Sequence, residues 1–146
     1  MSSRKKIIIS ACLLGEACRY DGKSKPALHV SEKYKGYEII PFCPEAPVLG
    51  TPRGRISVIE MPNGALHVKS DENGRDVTQH LKFEVLRFLK EHSDVKKAVL
   101  KSKSPSCGFG TTPILNTKHE QIALGNGIAA QMLHDRGLHV SSELNI

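Results

Sequence analysis

Hydrophobic and polar positions fall into short blocks along this chain, and the period of the blocks changes from one to the next. Ile7 to Ser10 follows a charged lead as a β-branched run, which predicts a buried first strand. Glu38 to Phe42, Lys97 to Leu100 and Leu138 to Val140 predict three more strands. Val77, Leu81, Val85, Leu86 and Leu89 recur near a helical period, so a helix is expected over Val77 to Glu91, with Asp76 or Thr78 capping its start. A second helix is expected over Gly127 to Arg136, stopped by Gly137, and a shorter one around Ala27 to Lys35. Ile56 to Met61 and Ala65 to Lys69 flank Pro62-Asn63-Gly64, whose Asn-Gly pair signals a hairpin. Residues 46–55, with Pro47, Gly50, Pro52 and Gly54, read as a structured loop, and Thr111 to Ala123 as a polar loop packing over the site. Strands alternating with helices predict an α/β fold: a mainly parallel sheet flanked by helices, Rossmann-like and three-layered, with a small β-hairpin insertion.

Composition narrows the function classes. At 146 residues one domain is expected, spanning 1–146. No apolar run approaches the roughly 20 residues of a membrane span, and Ile7-Ile8-Ile9 is too short for a signal-peptide core, so no membrane partner and a cytoplasmic location are expected. A net charge of +6 would draw anions, but the lysines and arginines are scattered and aromatics make up only 5%. That leaves few base-stacking platforms, and a nucleic-acid partner is not expected.

The cysteines change the picture most. Cys12, Cys43 and Cys107 each lie in a turn-rich segment just after a predicted strand, and in an α/β sheet the carboxyl ends of the strands converge on one rim where ligands bind. Any single cysteine could be a small buried hydrophobe. Three at strand exits, beside prolines and glycines, suggest a metal site, and a reducing cytosol disfavours a disulfide framework. Structural zinc sites commonly pair cysteines two to four residues apart, a spacing absent here, and Cys12 and Cys18 do not form a CxxC. Three separated thiols suit an iron-sulfur cluster with one iron left open. The seven histidines show no ligand spacing.

Other residues near the cysteines have plain and chemical readings side by side. Glu45, two residues past Cys43, is either a solvated loop carboxylate or a general acid or base. Ser104 and Ser106 flank Pro105 as turn residues, and Ser104 could instead donate a hydrogen bond to substrate. Arg19, Tyr20 and Asp21 read as a surface turn or a substrate cluster, and Arg53 as a solvated side chain or an anion or carbonyl clamp. Gly125-Asn126-Gly127 could offer amides to an anion, although the P-loop lysine is missing.

Five blocks in order, Ser10-Ala11-Cys12-Leu13-Leu14-Gly15, Cys18-Arg19-Tyr20-Asp21-Gly22, Cys43-Pro44-Glu45, Thr51-Pro52-Arg53 and Leu100-Lys101-Ser102-Lys103-Ser104-Pro105-Ser106-Cys107-Gly108, resemble the signatures of the thiouracil desulfidase family. Gly125-Asn126-Gly127-Ile128 and Val140-Ser141-Ser142-Glu143 extend the likeness over nearly the whole chain. The resemblance implies an oxygen-sensitive 4Fe-4S cluster bound by Cys12, Cys43 and Cys107. It also implies non-redox desulfuration of a thiolated nucleobase such as a thiouracil, the sulfur captured by the open iron and the ring carbon hydrolysed. Glu45 and Ser104 match the positions that assist catalysis, with Glu45 activating the water.

The chain departs from the family pattern in Ala46-Pro47-Val48-Leu49-Gly50, in Gly54-Arg55-Ile56-Ser57 and in Ala129-Ala130, and these departures bear on substrate choice rather than on cluster binding. Cys18 falls outside the implied ligand set and reads as a packing thiol. A cluster- or sulfide-binding carrier or sensor without turnover is the competing expectation. Glu45 separates the two, since a carrier has no need of an acid-base carboxylate beside the open iron.

Overall fold

Two four-stranded sheets organise the chain in a computed structural model that describes residues 5–16, 26–50 and 54–146. Sheet A contains β1 (Lys6–Ser10), β2 (Glu38–Phe42), β5 (Lys97–Leu100) and β8 (His139–Ser142) in the order β2-β1-β5-β8, and every pairing is parallel. Ile8 packs to one side with Val85, Leu89 and Leu133, while Ile7 and Ile9 pack to the other with Val30 and Tyr34. Successive strand residues point to opposite faces, so a strand covered on both sides must be apolar throughout. The unbroken Ile7-Ile8-Ile9 run meets that requirement.

The covering helices are α3 (Thr78–Glu91) and α4 (Ile128–Asp135) on one face and α1 (Leu28–Lys33) on the other. The three layers are those expected. Asp76 organises the start of α3: its carboxylate accepts the Thr78 N–H at 3.0 Å and the Thr78 hydroxyl at 2.6 Å, while Thr78 Oγ1 accepts the Val68 N–H at 2.8 Å. Pro41 lies in β2, an edge strand, where a missing donor is tolerated.

Sheet B departs from expectation. The hairpin of β3 (Ile56–Glu60) and β4 (Leu66–Ser70) forms as predicted, but Thr111 to Ala123 is not a loop. It holds β6 (Thr112–Leu115), which pairs in parallel with β3, and contributes to β7 (Gln121–Gly125), which pairs antiparallel with β6, giving the order β4-β3-β6-β7. β6 buries alternate residues, but its sequence Thr112-Pro113-Ile114-Leu115 shows no apolar–polar alternation and sets a proline in an internal strand, while β7 is exposed along most of its length. Val58, Val68 and Ile114 bury the sheet against Val77 and Leu81 of the α3 start.

The predicted loop at 46–55 also contains α2 (Ala46–Leu49), a single turn with Pro47 in its first positions, where a missing N–H costs nothing. Among the described residues, no helix is long and apolar enough to cross a membrane.

Candidate active site

The order β2-β1-β5 places three neighbouring parallel strands side by side, and each is followed by one of the three cysteines. Cys12 lies in a 3-10 turn, Ala11–Leu14, directly after β1, closed by Gly15 at φ 94°. Cys43 follows β2 by one residue, and its sulfur accepts the Ala46 N–H at 3.4 Å. Cys107 lies within the longer loop, 101–111, after β5. All three line one cavity of about 710 Å³, together with Glu45 and Ser104. A volume of that order is what small-molecule sites have.

Glu45 is the first residue outside α2, and its carbonyl accepts the Val48 and Leu49 N–H groups at 3.1 and 2.8 Å. The α2 turn thereby draws the residue inward to 8% exposure, so the solvated-loop reading does not describe it. Its Oε2 accepts the Ser106 hydroxyl and, at 3.5 Å, the Ser104 hydroxyl. Ser104 has further duties: Oγ accepts the N–H groups of Ser106 at 3.2 Å and Cys107 at 3.0 Å, which fixes the turn that carries Cys107.

Burial, together with the charges of Cys43 and Glu45, pushes the Cys107 thiol up to about 12, against hydrogen bonds from Ser10 and Ser106. A thiol in such a setting ionises readily only when a cation stands against it, and a coordinated metal deprotonates it outright. The three thiols are not joined by disulfides. Among the described residues, no three His, Cys, Asp or Glu side chains gather around a position that could hold one ion. A cluster instead gives each thiolate its own iron, and three thiols around one cavity suit it in kind.

The remaining expectations divide. Cys18, Arg19, Tyr20, Asp21, Gly22, Thr51, Pro52 and Arg53 lie outside the described residues. Three of the amides after Asn126 are taken by backbone carbonyls and not offered to an anion: Gly127 N–H bonds the Gly108 carbonyl at 2.7 Å, and Ala129 and Ala130 N–H bond the Ser106 carbonyl at 2.8 and 3.1 Å. The start of α4 therefore clamps the Cys107 loop. A side chain at Gly127 would meet the Ser106 carbonyl carbon at 2.4 Å, which explains glycine there.

Three groups lie in segments singled out in the sequence but without an individual role there. Ser10, buried at the end of β1, accepts the Lys101 N–H at 2.8 Å, tying the Cys12 strand to the Cys107 loop. Arg55, with Ser57 and Asp71 (Ser57 Oγ to Asp71 Oδ1, 2.6 Å), lines the far wall of the cavity from sheet B. Glu143 lines it from the segment after β8. Only strand adjacency, which the sequence does not show, could have gathered them.

A parallel α/β sheet whose three adjacent strand exits bring cysteines, a buried carboxylate and Ser104 to one cavity carries the donor set of a thiol-ligated metallocluster site. The comparisons agree with that class. Residues 7–145 match the family model for 2-thiouracil desulfurase, and the chain belongs to that family. It is similar to a solved 4Fe-4S-dependent thiouracil desulfidase, TudS, at 34% identity and a TM-score of 0.77, covering 98% of this chain and 93% of that one. It is also similar to the uncharacterized protein YbbK of Bacillus subtilis (strain 168), 31% identical over an alignment 149 residues long that covers 94% of this chain and 95% of YbbK.

Proposed function

We propose that this chain hydrolyses the carbon–sulfur bond of a thiolated, thiouracil-like nucleobase, with Cys12, Cys43 and Cys107 holding a 4Fe-4S cluster. Bound there, the cluster would supply an iron without a protein ligand, a Lewis acid suited to a thiocarbonyl sulfur. The balance is simple: water adds to the ring carbon, the carbon–sulfur bond breaks, and oxo base and hydrogen sulfide leave with no net electron transfer.

The protein residues divide the work. The Glu45 carboxylate takes a proton from the attacking water and returns one to the departing sulfur. Ser106 holds the carboxylate at Oε2, leaving it aimed into the cavity. Ser104 keeps its hydroxyl proton for the carboxylate or for the substrate, because both amides it serves are donors to its oxygen.

The observation that carries the reading is a buried carboxylate, held by a serine hydroxyl, on the same cavity as three thiols. Anaerobically reconstituted protein should release sulfide from a thiouracil, and Glu45→Gln should retain iron while turnover falls by roughly a hundredfold or more. Full turnover in Glu45→Gln with iron retained would refute the proposed base. Iron retained with no turnover in the unaltered chain would mean a carrier.

A further inference from the structure

We propose that Glu143 is a positioning residue for this site, holding the loop from Ser102 to Cys107 in shape from the end of sheet A. The proposal rests on the reading of that loop as part of the desulfurating site.

β8 pairs with β5 so that Ser142 lies opposite Leu100, the last residue of β5. The next residue of the chain comes level with Lys101 and Ser102, where the ladder has ended and a backbone donor needs another partner. The Glu143 carboxylate provides one. Oε1 accepts the Ser102 N–H at 2.7 Å, Oε2 accepts the Ser102 hydroxyl at 3.0 Å, and the Lys101 ammonium stands 3.4 Å from Oε2. With its side chain 10% exposed, Glu143 meets these donors with little screening by water. Burial works against the charged form, yet the Ser102 amide and Lys101 keep the carboxyl below its ordinary value. Its own backbone is tied as well, since His29 Nε2 donates to the Glu143 carbonyl at 2.7 Å.

Lys103, the next residue in the loop, has φ 65°, in the left-handed region that side-chain-bearing residues seldom adopt. Such a residue keeps that conformation only where its neighbours are held. Glu143 holds Ser102 on one side. On the other, the Thr112 hydroxyl donates to the Ser104 carbonyl at 2.6 Å, and Lys103 N–H bonds Thr111 Oγ1 at 2.9 Å. Ser104 and Ser106 then face Glu45 because the turn before them is fixed from both ends.

The test is amide hydrogen exchange on the metal-free full chain, paired with steady-state sulfide release by the reconstituted chain. In Glu143→Ala the Ser102, Ser106 and Cys107 amides should exchange roughly tenfold faster or more, while Val85 and Leu133 in the helices stay within about twofold. Turnover should fall by about tenfold or more with KM little changed. Glu143→Gln, which retains an acceptor for the Ser102 amide, should recover most of the protection. Adding Lys103→Gly to Glu143→Ala should recover part of it at Ser106 and Cys107, because glycine adopts the left-handed turn freely. Unchanged exchange in the loop of Glu143→Ala would overturn the proposal, as would equal acceleration throughout the core. Exchange is read without turnover, so failure of the unaltered chain to release sulfide would count against the desulfurase reading alone.

Discussion

The Ser106 hydroxyl donates to Oε2 of Glu45, joining the loop after β5 to the residue that precedes α2, and Glu45 in turn lines the cavity that the three cysteines share. Ser104 reaches the same oxygen from 3.5 Å, with its own oxygen already serving two amides. The two serines are therefore unequal. A hydrogen bond to a charged acceptor contributes about 1.5–3 kcal/mol, so Ser106→Ala should lower turnover by roughly ten- to a hundredfold with KM little changed, as read by steady-state sulfide release. Unaltered turnover would show that Glu45 needs no such support.

Gly127 tests the clamp between α4 and the cysteine loop. A Cβ there would stand 2.4 Å from the Ser106 carbonyl carbon and 2.9 Å from the Cys107 nitrogen, so the backbone must move. Gly127→Ala should cost about 1–3 kcal/mol and lower the melting temperature by several degrees, on the order of 2–4 °C per kcal/mol for a chain of this size. Gly36, which has open space and no left-handed φ, supplies the control: Gly36→Ala should stay within about 0.5 kcal/mol.

Much of this arrangement was legible in the sequence, and what escaped has physical reasons. The Ile7-Ile8-Ile9 run announced a strand buried on both faces, and the helical period of Val77 to Leu89 located α3. The cysteines announced a shared rim because parallel strands end on one side. The β6–β7 half of sheet B escaped because β7 buries almost nothing and Pro113 argues against an internal strand. The α2 turn escaped because four residues are too few to show a period. Ser10 and Glu143 escaped for a different reason: each acts across a strand pairing that brings residues 91 and 41 positions apart into contact.

Asp76 gives the fold an acid-sensitive joint. Its partial burial would raise the carboxyl, but hydrogen bonds from Thr78 and His67, with the His67 charge, pull it down to about 2 from 3.8. A depressed carboxyl contributes stability that is fully present above the unfolded value and is lost as pH falls through the folded one. The loss should therefore run from about pH 4 down to about pH 2. His67 and Asp76 are 38% and 41% exposed, so solvent screening reduces the contribution to roughly 1 kcal/mol. Asp76→Asn should lower the melting temperature at neutral pH by a few degrees and flatten its decline in that acid window. An equally steep decline in the variant would remove Asp76 from the account.

The most direct measurement is the iron and acid-labile sulfide content of anaerobically reconstituted protein. About four irons and about four sulfides per chain are expected, retained in Cys18→Ser and lost in large part in Cys12→Ser, Cys43→Ser and Cys107→Ser. A chain that takes up zinc but no iron under those conditions, or that keeps its full iron without Cys107, would contradict this expectation.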